Sequence, residues 1–201
     1  MGYKNREIEV KLLATSYVSL HHVNQIVESW VSDFHPEYSY IYGDASDLYW
    51  KTPKASEGDF VRLRRTNSRA QITMKATDRG DITDRKEIDL EIDDYNQAKI
   101  LMYGVHGEPL SSVRKRYHVY FLENEDTTVS VYQIFKDDKV MIELEARDEK
   151  RVRDMVLSLH ESYPNLGLKW LRSSVFNMFV ENKEPKSRPV ESYLWRQIYD
   201  N

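Results

Sequence analysis

Charge and hydrocarbon alternate residue by residue through several short stretches of this chain, and the alternation predicts strands with one ionic and one apolar face. In Glu7-Ile8-Glu9-Val10-Lys11 an extended backbone puts Glu7, Glu9 and Lys11 on one side and Ile8, Val10 and Leu12 on the other. Arg62 and Arg64 alternate with Val61 and Leu63 in the same way. From Arg85 to Ile92, one cation and three carboxylates (Arg85, Glu87, Asp89, Glu91) face away from Ile88, Leu90 and Ile92. Arg114 and Arg116 stand against an apolar row of Val113, Tyr117, Val119 and Phe121, and Glu143 and Glu145 lie between Ile142, Leu144 and Ala146. Ser39 to Trp50, Ala70 to Lys75 and Thr127 to Phe135 complete a count of about eight strands.

Helical spacing occurs between them. Leu20, Val23, Val27, Trp30 and Val31 predict a helix over Tyr17 to Phe34, capped by Ser16 or Ser19. Asp93 or Asp94 caps a shorter one through Ala98, Leu101 and Met102 that ends near Gly104 or Gly107. A third is expected from Asp148 to Ser162, a fourth from Leu171 to Val180, and a last short one from Ser192 to Tyr199 beyond a polar connector.

Any one ionic face fits an ordinary one-sided sheet. Here the charges are sorted two at a time into carboxylates or guanidiniums, and like charges two residues apart on one face repel. Such sorting suggests a shared site for a polyanion and a metal. If the apolar sides pack on helices, the ionic sides face one another and the sheet closes or nearly closes into a barrel with a polar lumen. The fold expected is α+β: an eight-stranded antiparallel β-barrel, a tunnel with a charged lumen and helices packed outside.

Composition narrows the function. With 201 residues, 40% hydrophobic and 31% charged, the chain has the size of one domain. The tunnel domain is placed at 1–181, and 182–201 as a connector and short helix on the same domain. A net charge of −4 argues against broad nucleic-acid binding and makes any anion site local. The absence of cysteine excludes disulfides, thiolate zinc sites and a Cys nucleophile, leaving oxygen ligands for any metal. No apolar run approaches the ~18 residues of a membrane span, and Met1 to Arg6 lead directly into a strand. A soluble, cytoplasmic protein without a membrane partner is expected. The six histidines show no metal spacing, and no Gly-rich phosphate loop occurs.

The ordered set of motifs resembles the CYTH superfamily, the triphosphate tunnel metalloenzymes. Glu7, Glu9 and Lys11 match its E-x-E-x-K strand, and Asp47-Leu48-Tyr49-Trp50 resembles its D-x-Y-aromatic segment. Gly58 to Arg64 is similar to its G-x-x-L-R-x-R strand, and Lys75 stands where the family keeps a tunnel lysine. Arg85 to Asp89 is similar to R-x-E-x-E, Arg114-Lys115-Arg116 to K-x-R, and Glu143-Leu144-Glu145 to the closing E-x-E. The resemblance runs in order from Arg6 to Ala146. One departure is Tyr132, in the strand where the family usually has an aspartate.

The resemblance implies a tunnel that binds a triphosphate-containing small molecule end-on. Lys11, Arg62, Arg64, Lys75, Arg114 and Arg116 are the implied phosphate contacts. Glu7, Glu9, Glu87, Asp89, Glu143 and Glu145 would reach the phosphates through Mg²⁺ or Mn²⁺, with Glu7, Glu9 and Lys11 as the catalytic set. The leading expectation is a metal-dependent triphosphatase acting on inorganic or organic triphosphate. The alternatives are a class IV-type adenylyl cyclase, and a non-catalytic binder of nucleotide, polyphosphate or triphosphate-ended RNA. Tyr40, Tyr42, Tyr49 and Trp50 are candidate stacking partners for an organic group, and monomer and homodimer are both open.

Overall fold

Alternation becomes architecture in a computed structural model, which describes residues 7–16, 19–51, 60–77, 84–122, 126–171, 178 and 187–199. The order is β1 (Glu7–Ala14), α1 (Leu20–Phe34), β2 (Tyr38–Lys51), β3 (Phe60–Arg65), β4 (Ala70–Thr77), β5 (Asp84–Ile92) and α2 (Tyr95–His106). It continues with β6 (Ser111–Leu122), β7 (Thr127–Ile134), β8 (Val140–Ala146), α3 (Glu149–Ser162), a 3₁₀ turn at Pro164–Leu166, β9 (Leu168–Leu171), β10 (Ser187–Pro189) and α4 (Val190–Tyr199). The caps are local chemistry. Asp94 accepts from the backbone N–H groups of Asn96 and Gln97 at 2.9 and 3.0 Å, and Asp148 from that of Arg151 at 2.8 Å.

All the strands join one antiparallel sheet in the order β10-β9-β1-β5-β4-β3-β2-β6-β7-β8, and the curl brings β8 back against β1. This corrects the expected eight-stranded closed barrel. The sheet has ten strands, and β1 meets β5 at only two positions, Glu7 with Arg85 and Ile8 with Asp84. From Lys11 to Ala14 that edge of β1 is taken by β9, which carries β10 in turn. A strand has two edges. With β8 on one and β5 then β9 sharing the other, β1 diverges from β5 and the wall does not seal into a regular barrel.

The outer face carries two apolar clusters. Ile8, Val10 and Leu12 of β1, Ile142 and Leu144 of β8, and Tyr120 and Leu122 of β6 lie under α1, α3 and α4. Leu48, Trp50, Val61 and Leu63 lie under Ala98 and Met102 of α2. A third cluster is inside the curl: Leu13, Tyr49, Phe60, Val113, Tyr132, Ile134 and Met141, joined by Leu171 and Met178, plug one end of it. The expected tunnel is therefore filled at that end by side chains.

Three smaller expectations change. The first helix begins at Leu20, after the Ser19 cap, and the last begins at Val190. Leu171, expected to open a fourth helix, ends strand β9 instead; most of the remaining segment to Val180 lies outside the described residues. Part of the polar connector is strand β10. β9 is reached through Gly167, whose φ of 59° and close approach to Thr15 and Ser16 leave no room for a Cβ. Among the described residues no helix is long and apolar enough to cross a membrane.

The inner plug predicts a measurable stability. Met141 is fully buried within it, so Met141→Ala is expected to lower unfolding free energy by about 2–5 kcal/mol in urea titrations. An unchanged midpoint would mean that this end is not packed.

Candidate functional site

Along strand after strand the inward residues run in the same sequence, from the plug to charge to an open mouth. On β3 the run is Phe60, Arg62, Arg64; on β8 it is Met141, Glu143, Glu145; on β1 it is Leu13, Lys11, Glu9. On β6 it is Val113, Lys115, Tyr117, Val119, Phe121. The strand registers set these side by side: Glu9 opposite Glu145, Lys11 opposite Glu143, Arg62 opposite Thr73, and Lys75 opposite Glu87. Gly43, inward on β2, leaves space that a Cβ would take from the Tyr117 hydroxyl at 3.4 Å and the Asn67 amide at 3.3 Å.

The charges form one network. Lys11 Nζ lies 2.5 Å from Glu9 and 2.7 Å from Glu143. Lys75 Nζ lies 2.5 Å from Glu87 and 3.9 Å from the second oxygen of Glu9, so Glu9 links two lysines. Arg62 donates to the Thr73 hydroxyl at 2.9 Å, and Thr73 donates to Asp89 at 2.6 Å. Burial, and then the neighbouring Glu87, push the Asp89 carboxyl above its ordinary range.

Asp47 and Lys115 show what the enclosure does. Arg64 grips the fully buried Asp47 with two forked hydrogen bonds of 2.7 Å. Burial alone would raise that carboxyl, but Arg64, with Lys115 and Arg62 behind it, outweighs burial and holds it well below the usual range. Lys115 is buried with its ammonium 4.6 Å from the centre of the Tyr132 ring. Burial and then Arg64 push it down to about 7, against the attraction of Asp47 and Glu143.

Of the residues expected from sequence, Glu9, Lys11, Arg62, Arg64, Lys75, Glu87, Asp89, Glu143 and Glu145 line this one cavity. The side chain of Glu7 lies outside the described residues, although its backbone pairs with Arg85. Arg114 and Arg116 are a correction: both point outward, over the Phe135 ring at 5.1 and 5.5 Å, and Arg116 pairs with Asp44 at 2.9 Å. The physical reason is parity, because the apolar row of β6 faces the plug and the mouth. Lys115, between the two arginines, is the cation β6 turns inward. The parity of Tyr120 and Leu122, which continue the outer row into the α1 cluster, carried that signal. Of the four proposed stacking residues, Tyr49 lines the cavity as part of the plug, whereas Tyr40 and Tyr42 stack with His118 on the outer face and Trp50 lies under α2.

The donor set suits a hard divalent ion. Carboxylates, hydroxyls and cations line the charged depth, and the six cavity cations Lys11, Arg62, Arg64, Arg69, Lys75 and Lys115 are already matched by the six carboxylates Glu9, Asp47, Glu87, Asp89, Glu143 and Glu145. Adding a polyanion to a balanced network calls for added positive charge. Among the described residues no three His, Asp or Glu side chains gather at metal-binding distance; each end of the network is held by lysine. One or two carboxylates with ligand phosphates are a usual set for Mg²⁺.

No protein-family model matches the chain, and no curated protein matches it in sequence. Solved structures do. A conserved hypothetical protein from Pyrococcus furiosus superposes with a TM-score of 0.64 at 16% identity, covering 86% of this chain and 99% of its own. A Pyrococcus horikoshii protein gives 0.62 at 21% identity, covering 88% and 99%. A Hippeastrum protein, described as a candidate adenylyl cyclase with a dominant triphosphatase activity, gives 0.61 at 20% identity, covering 92% and 99%. The chain has the fold of these proteins.

The depressed Lys115 predicts a pH signature. Between pH 7 and 10.5 the unfolded lysine holds a proton that the folded one has released, so stability is expected to rise with pH across this window. The slope is at most about 1.4 kcal/mol per pH unit. Urea titrations of the wild type and Lys115→Met should differ by that slope; parallel profiles would show that Lys115 keeps its proton in the fold.

Proposed function

We propose that the cavity binds a triphosphate end-on and hydrolyses its terminal phosphoanhydride with Mg²⁺ or Mn²⁺. The observation that carries this reading is the convergence of Lys11, Arg62, Arg64, Arg69, Lys75 and Lys115 on one cavity whose remaining charge is carboxylate. A triphosphate brings about four negative charges, enough to draw both lysines off their glutamates. Lys11 and Lys75 then donate to phosphate oxygens as point charges, and Arg62 as a fork. Arg64 stays on Asp47, where its bidentate pair sets the height of the guanidinium in the wall.

The carboxylates released in that exchange, Glu9, Glu143 and Glu87, with Asp89, Glu145 and Glu7, are the residues to hold the divalent ion. When bound, it supplies the positive charge that the side chains lack and a Lewis acid for the phosphoryl group. Tyr132 adds no carboxylate: its hydroxyl, buried and close to Glu143, is held well above the ordinary phenol range by burial first.

Incubation with Mg²⁺ or Mn²⁺ and a panel of triphosphates tests the reading. Phosphate release is the expected result. Cyclic nucleotide with pyrophosphate would assign a cyclase instead, and tight binding without product a non-catalytic module. Glu9→Gln and Glu143→Gln are each expected to lower metal-dependent turnover by about 100-fold while melting temperature stays near wild type. Arg62→Ala should raise KM by about tenfold, the equivalent of one charge-assisted hydrogen bond of about 1.4 kcal/mol. Wild-type turnover in both carboxamide variants would remove the metal-site reading.

A further inference from the structure

Helix α2 is apolar on both of its faces. Ala98 and Met102 pack on the sheet, yet Ile100, Leu101 and Val105 are 72%, 62% and 65% exposed. A surface helix ordinarily turns polar residues to water, and one that is hydrophobic all round is ordinarily covered. The sheet beside it continues the same surface. Tyr103 packs edge-on against Trp50 of β2, so Leu101 and Val105, two residues before and after it, lie on the opposite flank, toward β4 and β5. There Met74, Ile88 and Leu90, in register with Val61 and Leu63 under the helix, are exposed as well. The two rows present several hundred Å² of hydrocarbon, on the scale of the roughly 800 Å² that each partner gives to a standard interface.

Gly104 shows what the face is shaped for. It lies inside α2, where glycine weakens a helix, and among the described residues nothing comes within 4 Å of the position its Cβ would take. No described contact inside the chain calls for a glycine there; a second helix laid close across this face would. The gap stands one turn from the protruding Leu101, so a knob and a hole share one face of one helix.

We propose that this face is the interface of a homodimer, in which α2 packs antiparallel against α2 of a second copy across a two-fold axis. Under that symmetry Leu101 of each copy enters the gap over Gly104 of the other, the reciprocal contact that an isologous interface requires. Ile100, Leu101, Gly104 and Val105 carry no charge, and neither do Met74, Ile88 and Leu90, so the face is complementary to another hydrocarbon face and not to an ionic one. The helix is held for such a contact at both ends. Asp94 caps its start, and the Trp50 indole N–H donates to the Gly107 carbonyl beyond its last turn at 3.0 Å.

Sedimentation equilibrium is expected to give twice the chain mass for the wild type at about 50 µM. Gly104→Gln should raise the dimer dissociation constant about tenfold or more, as should Leu101→Glu. In the dilute chain Gly104→Gln should keep or raise the melting temperature, because glutamine is the better helix former. An interface is thus separated from a merely structural role, which would move mass and melting temperature together. The chain has no cysteine, so mild oxidation of mixed Leu101→Cys and Gly104→Cys chains reads the pairing directly, and a disulfide joining one of each is expected. A wild type that sediments as one chain at about 50 µM, or a dimer that both Gly104→Gln and Leu101→Glu leave intact, would overturn the interface. A dimer without the mixed disulfide would overturn the antiparallel pairing. Mass is read here and not turnover, so either result leaves the triphosphate reading where it stands.

Discussion

Ions inside a curled sheet persist only where each has a counter-ion within a few ångströms, and Lys11 meets that demand for two strands at once. It joins Glu9 of its own strand to Glu143 of β8 across the register that brings the first strand and the eighth together. Without a cation between them, β1 and β8 would present facing carboxylates, Glu9 directly opposite Glu145, along the contact that completes the curl. Lys75 does the same between β4, β5 and β1. The packing on the outer face depends on this, because Ile8, Val10, Leu12, Ile142 and Leu144 reach the helices only if their ionic neighbours are tolerated inside.

The inward charge is thus structural before it is functional. A network that holds itself together with lysine–glutamate pairs can exchange those pairs for a polyanion and its metal at a modest change in net charge. Asp47 and Arg64 differ from the rest: their pair is forked, and the carboxylate is fully enclosed. Breaking it would strand a charge in the wall, so it behaves as a fixed part of the frame.

Much of this was legible in sequence because a strand of period two exposes its faces directly. Glu9, Lys11, Arg62, Arg64, Glu87, Asp89, Glu143 and Glu145 were read from alternation alone, and each has an apolar neighbour that points away from the cavity. β6 reversed that reading for a physical reason. Its inward face passes through the plug and the mouth, both apolar, while Arg114 and Arg116 occupy an outer strip where they lie over Phe135 instead of beneath a helix. Apolar does not mean outward when the inside of a sheet is itself part oil and part salt. β9 and β10 were illegible for another reason: four and three residues long, they are specified by pairing with distant β1 and with each other rather than by local pattern.

The plug of Leu13, Tyr49, Phe60, Val113, Met141 and their neighbours has a consequence for traffic. A passage open at both ends lets a reactant enter on one side and its fragments depart on the other. Where that end is packed by side chains, a way in at the mouth is also a way out. For a ligand that enters terminal phosphate foremost, the larger fragment then stands between the cleaved phosphate and that mouth, and the order of departure there is set by geometry.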